Sequence, residues 1–300
     1  MEHAIVASGL TCRYGATEAV TNLSMCVETG TIFALLGPNG AGKTSTLRML
    51  MNIIRPVAGT ATVLGLDSRR LGSRELASIG YVSENQQIPR WMTVDQLLAF
   101  SRPLYPRWDG ALCDRLVDEF ELPRDVRIGR MSRGMRVKAA LVSSLAFRPR
   151  LLVLDEPFTG LDPVVRDDLV RGVLELAGEE EWTVVISSHD LDEVERLVDT
   201  VGFLDAGRLV LSERFADLHG RFRRIDVTTD AWPAHAEGAD GWLEVETSGR
   251  VTHLIDSRYV AGETERRIAS LAPDAVVDVL PMTLREIFIA LVRQQRRQRR

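Results

Sequence analysis

The residues with the clearest chemical potential begin at Gly37-Pro38-Asn39-Gly40-Ala41-Gly42-Lys43-Thr44, which fits the phosphate-binding pattern G-x-x-x-x-G-K-[ST]. A glycine loop of this form can wrap its backbone N–H groups round a polyphosphate. A helix beginning there adds partial positive charge. Gly37, Gly40 and Gly42 permit close approaches that a Cβ would block. Lys43 offers a cation to β- and γ-phosphates, and the Thr44 hydroxyl an oxygen to Mg2+. A second group is Asp155-Glu156, two acids that close an apolar run. Burying such a pair is costly unless it is partnered or faces a metal. With a phosphate loop in the same chain, Asp155 is expected to hold Mg2+ through water. Glu156 is expected to orient or deprotonate the water that attacks the γ-phosphate. Together with Lys43 these groups supply the positioning and charge neutralisation that phosphoryl transfer requires. His189 ends another apolar run. It can donate a hydrogen bond to a γ-phosphate, although a lone histidine also reads as a structural or surface residue.

Each group needs a strand behind it. Thr31–Leu36 reads as a buried strand before the glycine loop, and Ser45–Met51 as the first turns of a helix after it. Ile79–Val82, Arg150–Leu154 and Trp182–Ser188 are further strands, and Val164–Leu176 is an amphipathic helix. Residues 4–10 alternate weakly, as an edge strand would, and a second strand follows at Ala19–Val27. Ala61–Leu64 is a short strand, and Val201–Leu204 with Arg208–Leu211 forms a hairpin round Ala206-Gly207. Strands alternating with helices imply an α/β fold, a mostly parallel sheet covered on both faces. Ligands of such sheets sit beyond the carboxyl ends of the strands, where all three groups converge. Between about 88 and 145 the texture becomes helical. Thr93 is a capping residue, and Leu112, Leu116, Val117 and Phe120 recur at helical spacing. This predicts a helical insertion in a domain covering 1–219. Residues 220–292 predict a small α+β appendage that ends in a helix capped by Thr283 and Glu286.

Composition sets the limits. The chain has 300 residues, 45% hydrophobic and 26% charged, as in soluble globular proteins. Its net charge of −5 argues against nucleic acid as the main partner. The last eight residues nevertheless hold five Arg and no acid. Residues 293–300 are expected to be a disordered tail that can meet an anionic membrane surface or nucleic acid. No apolar run approaches the ~18 residues of a membrane span. The first residues lack the pattern of a secretory signal. Cys12, Cys26 and Cys113 read as reduced thiols, pointing to a cytoplasmic protein.

The ordered set of motifs resembles the nucleotide-binding subunit of ABC transporters. It comprises the glycine loop, the helical insertion, Met131-Ser132-Arg133-Gly134-Met135, the strand ending in Asp155-Glu156, Gly160-Leu161-Asp162 and Ser187-Ser188-His189. The likeness covers roughly residues 4–215. It implies a P-loop NTPase of ABC ATPase type: a mostly parallel core, an antiparallel β subdomain and a helical insertion, binding ATP and Mg2+. It implies a head-to-tail dimer, with itself or a related subunit, that sandwiches two ATP molecules and drives a separately encoded permease from the inner face of the membrane. On this resemblance Tyr14 stacks on adenine and Ser45 contacts the α-phosphate. Ser132 and Gly134 reach the partner's γ-phosphate, Asp162 links the two sites, and His189 is the switch histidine.

Two motifs depart from the family's usual pattern. Its signature is commonly Leu-Ser-Gly-Gly-Gln, whereas Arg133 and Met135 stand here in place of a glycine and the glutamine. The glutamine that follows the strand at 79–82 is replaced by Glu84, a carboxylate that can still serve Mg2+ or a water. Both departures resemble a subgroup of bacterial exporter ATPases, as do Tyr105-Pro106-Arg107-Trp108-Asp109 and the Thr283–Phe288 ending. The aromatics Trp91, Tyr105 and Trp108 are expected to line a permease-docking groove. Two rival readings remain at this point. One is a non-transport ATPase of the same family acting on nucleic acid or ribosomes. The other is an ATP-sensing regulatory module with weak hydrolysis.

Overall fold

Ile32–Leu36 (β3) is buried at every position, as are Leu151–Asp155 (β7) and Thr183–Ser188 (β8). Continuous burial is what an interior strand of a two-sided sheet demands. The computed structural model describes residues 2–84, 86–180, 182–192, 194–230, 232–233 and 241–298. The chain divides into two compact units, Met1–Ser212 and Glu213–Arg300.

In the first unit, β3, β7 and β8 join Ile79–Ser83 (β6), Thr200–Asp205 (β9) and Arg208–Arg214 (β10) in one sheet of order β10-β9-β3-β8-β7-β6. The pairs β3/β8, β3/β9, β7/β8 and β6/β7 are parallel. Their common direction brings the carboxyl ends of β3, β6, β7 and β8 to one edge. A second, antiparallel sheet has order β2-β1-β4-β5, built from His3–Tyr14 (β1), Thr17–Glu28 (β2), Ala58–Val63 (β4) and Leu66–Asp67 (β5). The edge strand expected at 4–10 is therefore an interior strand, paired with β2 on one side and β4 on the other. Its alternation is weak because the register slips between Ala7 and Leu10, around Gly9 at φ +61°.

Helix α1 (Lys43–Leu50) follows β3 directly. Its Leu47 and Leu50 pack with Leu10, Val20 and Leu23 of the antiparallel sheet and with Phe33, Leu35 and Val153 of the parallel one. This shared core anchors the glycine loop. A Cβ on Gly42 would stand 2.4 Å from the Ala19 carbonyl oxygen, and one on Gly37 2.1 Å from that of Leu204. After the short α2 (Ser73–Leu76), the helical stretch contains α3 (Val94–Ser101), α4 (Gly110–Glu119) and α5 (Arg133–Leu145). The Thr93 side chain accepts from Gln96 N while Gln96 accepts from Thr93 N, closing a capping box on α3. Helix α6 (Pro163–Glu180) then leads to β8.

The second unit carries α7 (Phe215–Arg221), β11 (Arg223–Thr228), β12 (Trp242–Ser248), β13 (Val251–Asp256), α8 (Glu263–Leu271), β14 (Val276–Pro281) and α9 (Leu284–Gln298). Its antiparallel sheet has order β12-β13-β11-β14. It begins before the 219/220 division expected from sequence, because Arg221 is held to Glu213 by paired hydrogen bonds of 2.9 and 2.6 Å. Helix α9 is capped by Thr283 and Glu286, and it continues past Val292 to Gln298. As far as Gln298, the tail expected to be disordered is thus helical. Leu284, Ile287 and Ala290 are fully buried on one face, and Arg293 meets Glu244 at 3.2 Å. Residues 299 and 300 lie outside the described residues. Among the described residues no helix is long and apolar enough to cross a membrane.

Candidate functional site

Lys43 is the first residue of α1, and the preceding Gly42 (φ +104°) gives that helix no side-chain cap. The first-turn amides therefore remain available to an anion. The Lys43 side chain is buried. Its Nζ donates to the carbonyl oxygens of Gly37 at 2.6 Å and Pro38 at 3.1 Å, and lies 3.0 Å from Glu156 Oε1. Thr44 Oγ1 donates to Asp155 Oδ1 at 2.9 Å. The glycine loop and the strand-end acids thus meet, as the parallel topology requires.

Asp155 is almost wholly buried and well satisfied. Its carboxylate accepts from Ser187 Oγ at 2.8 Å and from Tyr81 Oη at 3.4 Å as well as from Thr44. Burial, with the Asp155 charge beside it, pushes the Tyr81 phenol up to about 12, so it stays a donor. Glu156 has a left-handed backbone at φ +54°, a strained conformation for a residue with a Cβ. Its N–H donates to both O and Oγ of Ser187, at 3.2 and 3.0 Å. Its Oε2 meets His189 Nδ1 at 2.7 Å and accepts from Thr159 Oγ1 at 3.0 Å. Burial alone would raise the Glu156 pKa. His189, Lys43 and Thr159 outweigh it and hold the carboxyl below its ordinary value.

These residues border a cavity of about 460 Å3 lined by Asn39–Ser45, Ala19, Glu84, Glu156, Thr159 and His189. A nucleoside triphosphate fits the donor set: loop amides, an uncapped helix start, one lysine and a histidine. The metal requirement is met in part by the protein. Among the described residues no cluster of His, Cys, Asp and Glu could hold an ion by itself. Thr44 and Asp155 offer two hard oxygens, and Mg2+ commonly completes such a shell with water and substrate phosphates.

The remaining expected residues fall into two sets. Tyr14 is exposed at the end of β1, where its hydroxyl accepts from Ser45 Oγ at 3.4 Å, beside the glycine loop. Ser132, Gly134 and Asp162 do not line the cavity. Ser132 caps α5 by accepting from Met135 N at 3.2 Å, and Asp162 caps α6 by accepting from Val165 N at 3.0 Å. Glu84 borders the cavity, but its Oε1 accepts from Arg133 Nη2 at 3.0 Å. Of the three aromatics, Tyr105 stacks on buried Phe147 at 3.9 Å and lines an apolar groove of about 360 Å3; Trp91 and Trp108 do not line that groove. The roles of Ser187, Thr159 and Tyr81 escaped sequence reading. For Ser187 a clue was present: β7 and β8 are parallel neighbours, and their register sets Ser187 opposite Asp155.

The fold and this site define a P-loop NTPase built to bind a nucleoside triphosphate with Mg2+. A model of the ABC transporter family matches residues 20–159. The chain is 33% identical over 226 residues to the bacitracin transport ATP-binding protein of Bacillus licheniformis, covering 75% of this chain and 74% of that one. It is 36% identical over 274 residues to a daunorubicin resistance ATP-binding protein of Streptomyces coeruleorubidus, covering 89% and 82%. A solved ATP-binding subunit of an ABC transporter superposes with a TM-score of 0.65 at 25% identity, over 72% of this chain and 92% of that one. The chain belongs to the ATP-binding subunits of ABC transporters. It is an ATP-binding and ATP-hydrolysing subunit of the kind that powers a separate membrane permease.

Proposed function

We propose that two copies of this chain, or one copy and a related subunit, close head to tail on two ATP molecules and drive an exporter for drug-like or peptide cargo. The observation that carries the dimer is the composition of the nucleotide cavity. It has the glycine loop, Glu156 and His189 on its walls but no residue of Met131–Met135. Ser132 and Gly134, at the start of α5, stand outside it and on this reading serve a nucleotide held by another copy. Within each site Lys43 binds the β- and γ-phosphates, and Thr44 and Asp155 hold Mg2+. Glu156 positions the attacking water, His189 contacts the γ-phosphate, Ser45 contacts the α-phosphate and Tyr14 stacks on the base. Asp162 links the sites.

The permease docks on the groove bordered by Met51, Ile53, Leu76, Ile88, Phe100 and Tyr105, whose rim leaves Ile53 and Phe100 more than half exposed. On this reading the subunit works at the cytoplasmic face of the membrane; independently of that docking, the basic end of α9 carries charge that anionic headgroups attract. The names of the bacitracin and daunorubicin relatives support the cargo class.

The test uses Glu156→Gln. With ATP and Mg2+ the variant should bind nucleotide, lose nearly all turnover and shift from monomer to dimer in light scattering. A further Ser132→Arg change should abolish the dimer and leave nucleotide binding intact. A Glu156→Gln chain that stays monomeric with ATP bound would overturn the composite site. Native chain purified from detergent-solubilised membranes without a co-purifying permease would overturn the transport reading.

A further inference from the structure

Arg133, the first residue of α5, touches two loops that border the nucleotide cavity. Its Nη2 donates to Glu84 Oε1 at 3.0 Å, in the loop after β6. Its guanidinium also lies over Gly160, in the turn after β7. A Cβ built on that glycine would stand 3.3 Å from Nη1 and 3.4 Å from Cζ. Glu84 is in turn tied to the end of β7, since its N–H donates to the Asp155 carbonyl oxygen at 2.8 Å. Its side chain borders two spaces: the nucleotide cavity and a second cavity of about 420 Å3 lined by Arg90, Arg133 and Arg136 among others. Glu84 therefore borders the cavity that Thr44 also lines, while its carboxylate is held by a cation on α5.

The two attractions are unequal. The Arg133 and Glu84 side chains are 41% and 33% exposed, so water and salt weaken their attraction. A divalent ion held by phosphates, Thr44 and Asp155 is a stronger local charge. We propose that Glu84 and Arg133 form a magnesium-released latch. Without metal–nucleotide, Glu84 holds Arg133 and fixes the start of α5 against the nucleotide loops. With it, Glu84 turns to the metal or its water and frees Arg133. Arg133 is thus a positioning residue that restrains magnesium–nucleotide binding and ties site occupancy to the end of α5 that carries Ser132 and Gly134. The latch rests on the nucleotide reading above. It makes one unit of two residues, one from each of the motifs in which the sequence departs from the family's usual pattern.

The test is titration of the full chain with a fluorescent N-methylanthraniloyl ADP, in Mg2+ and in EDTA. Arg133→Gln should tighten binding about two- to fivefold in Mg2+, the span expected from removing an exposed ion pair. It should leave binding in EDTA unchanged and have no effect in a Glu84→Gln background. Arg133→Lys should behave as wild type. Amide hydrogen exchange at Arg133–Val137 should rise on adding Mg2+ and nucleotide to wild type and stay constant in Glu84→Gln. Weaker or unchanged binding by Arg133→Gln overturns the latch, as does an equal shift without Mg2+ or without Glu84. A wild-type chain that binds no nucleotide at all would overturn the nucleotide reading itself, and the latch with it.

Discussion

Lys43 Nζ lies 3.0 Å from Glu156 Oε1, both side chains nearly enclosed, so the cation proposed for phosphates and the carboxylate proposed for water hold each other. The arrangement satisfies two buried charges that would otherwise be costly. On the proposed roles, nucleotide entry would be an exchange: phosphates would take Lys43, and Glu156 would keep His189 and Thr159.

The first prediction concerns that pair. Lys43→Ala should abolish ATP binding and also destabilise the nucleotide-free fold by about 3 kcal/mol, the lower range for breaking a buried pair. His189 and Thr159 still hold the carboxylate, which keeps the loss from being larger. Lys43→Ala combined with Glu156→Gln should recover much of that stability, because no charge is then left buried. Urea unfolding of the three proteins decides it. A double variant no more stable than Lys43→Ala would show that the pair is not the source.

Acid stability follows from the same carboxylate. The folded-state pKa of Glu156 lies below the ordinary 4.5. Folding therefore favours its ionised form. The stabilisation is fully present above about pH 4.5 and is lost as pH falls through the lower folded value. Glu156→Gln should flatten this part of the stability curve, so that wild type loses more stability than the variant between pH 5 and the acid limit. Parallel curves for the two proteins would sink the assignment.

Much of this site was legible because simple rules converge on it. Continuous apolar runs before Gly37, Asp155 and His189 meant parallel strands, and parallel strands deliver their ends to one edge. What stayed hidden depends on contacts distant in sequence. Nothing near Glu84 announces Arg133, 49 positions away. Thr159 and Ser187 look like ordinary small polar residues until the fold turns their hydroxyls onto Glu156 and Asp155. In the antiparallel sheet a register slip round Gly9 disguised an interior strand as an edge. The basic tail has the composition of disorder, yet Arg and Gln are good helix formers and extend a helix already anchored by Leu284, Ile287 and Ala290.

The glycines of the loop should not be equivalent. Gly40 has φ +80° with nothing within 4 Å of its Cβ position, so Gly40→Ala adds only backbone strain, about 1 kcal/mol. Gly37→Ala would set a methyl 2.1 Å from a backbone oxygen of β9, and should cost at least about 3 kcal/mol as strand and loop separate. Thermal unfolding of the nucleotide-free variants gives the order. Equal losses would mean that the loop does not pack on β9 as described.

Ser187 offers the sharpest test of how Asp155 is held. It is fully buried, donates to Asp155 Oδ1 at 2.8 Å and accepts from Glu156 N at 3.0 Å. It thereby fixes the Asp155 carboxylate and the Glu156 backbone without itself lining the cavity. Ser187→Ala should destabilise the fold by about 1–3 kcal/mol, the cost of leaving buried polar groups short of a partner. The metal dependence should shift as well. With Asp155 less firmly oriented, the Mg2+ concentration for half-maximal ATPase activity should rise severalfold, while nucleotide affinity measured in EDTA should not change. A fall in stability with no change in Mg2+ requirement would reduce Ser187 to a packing residue. Thr at this position keeps the hydroxyl, and Ser187→Thr should restore the Mg2+ requirement if its added methyl is accommodated, separating loss of the donor from loss of volume.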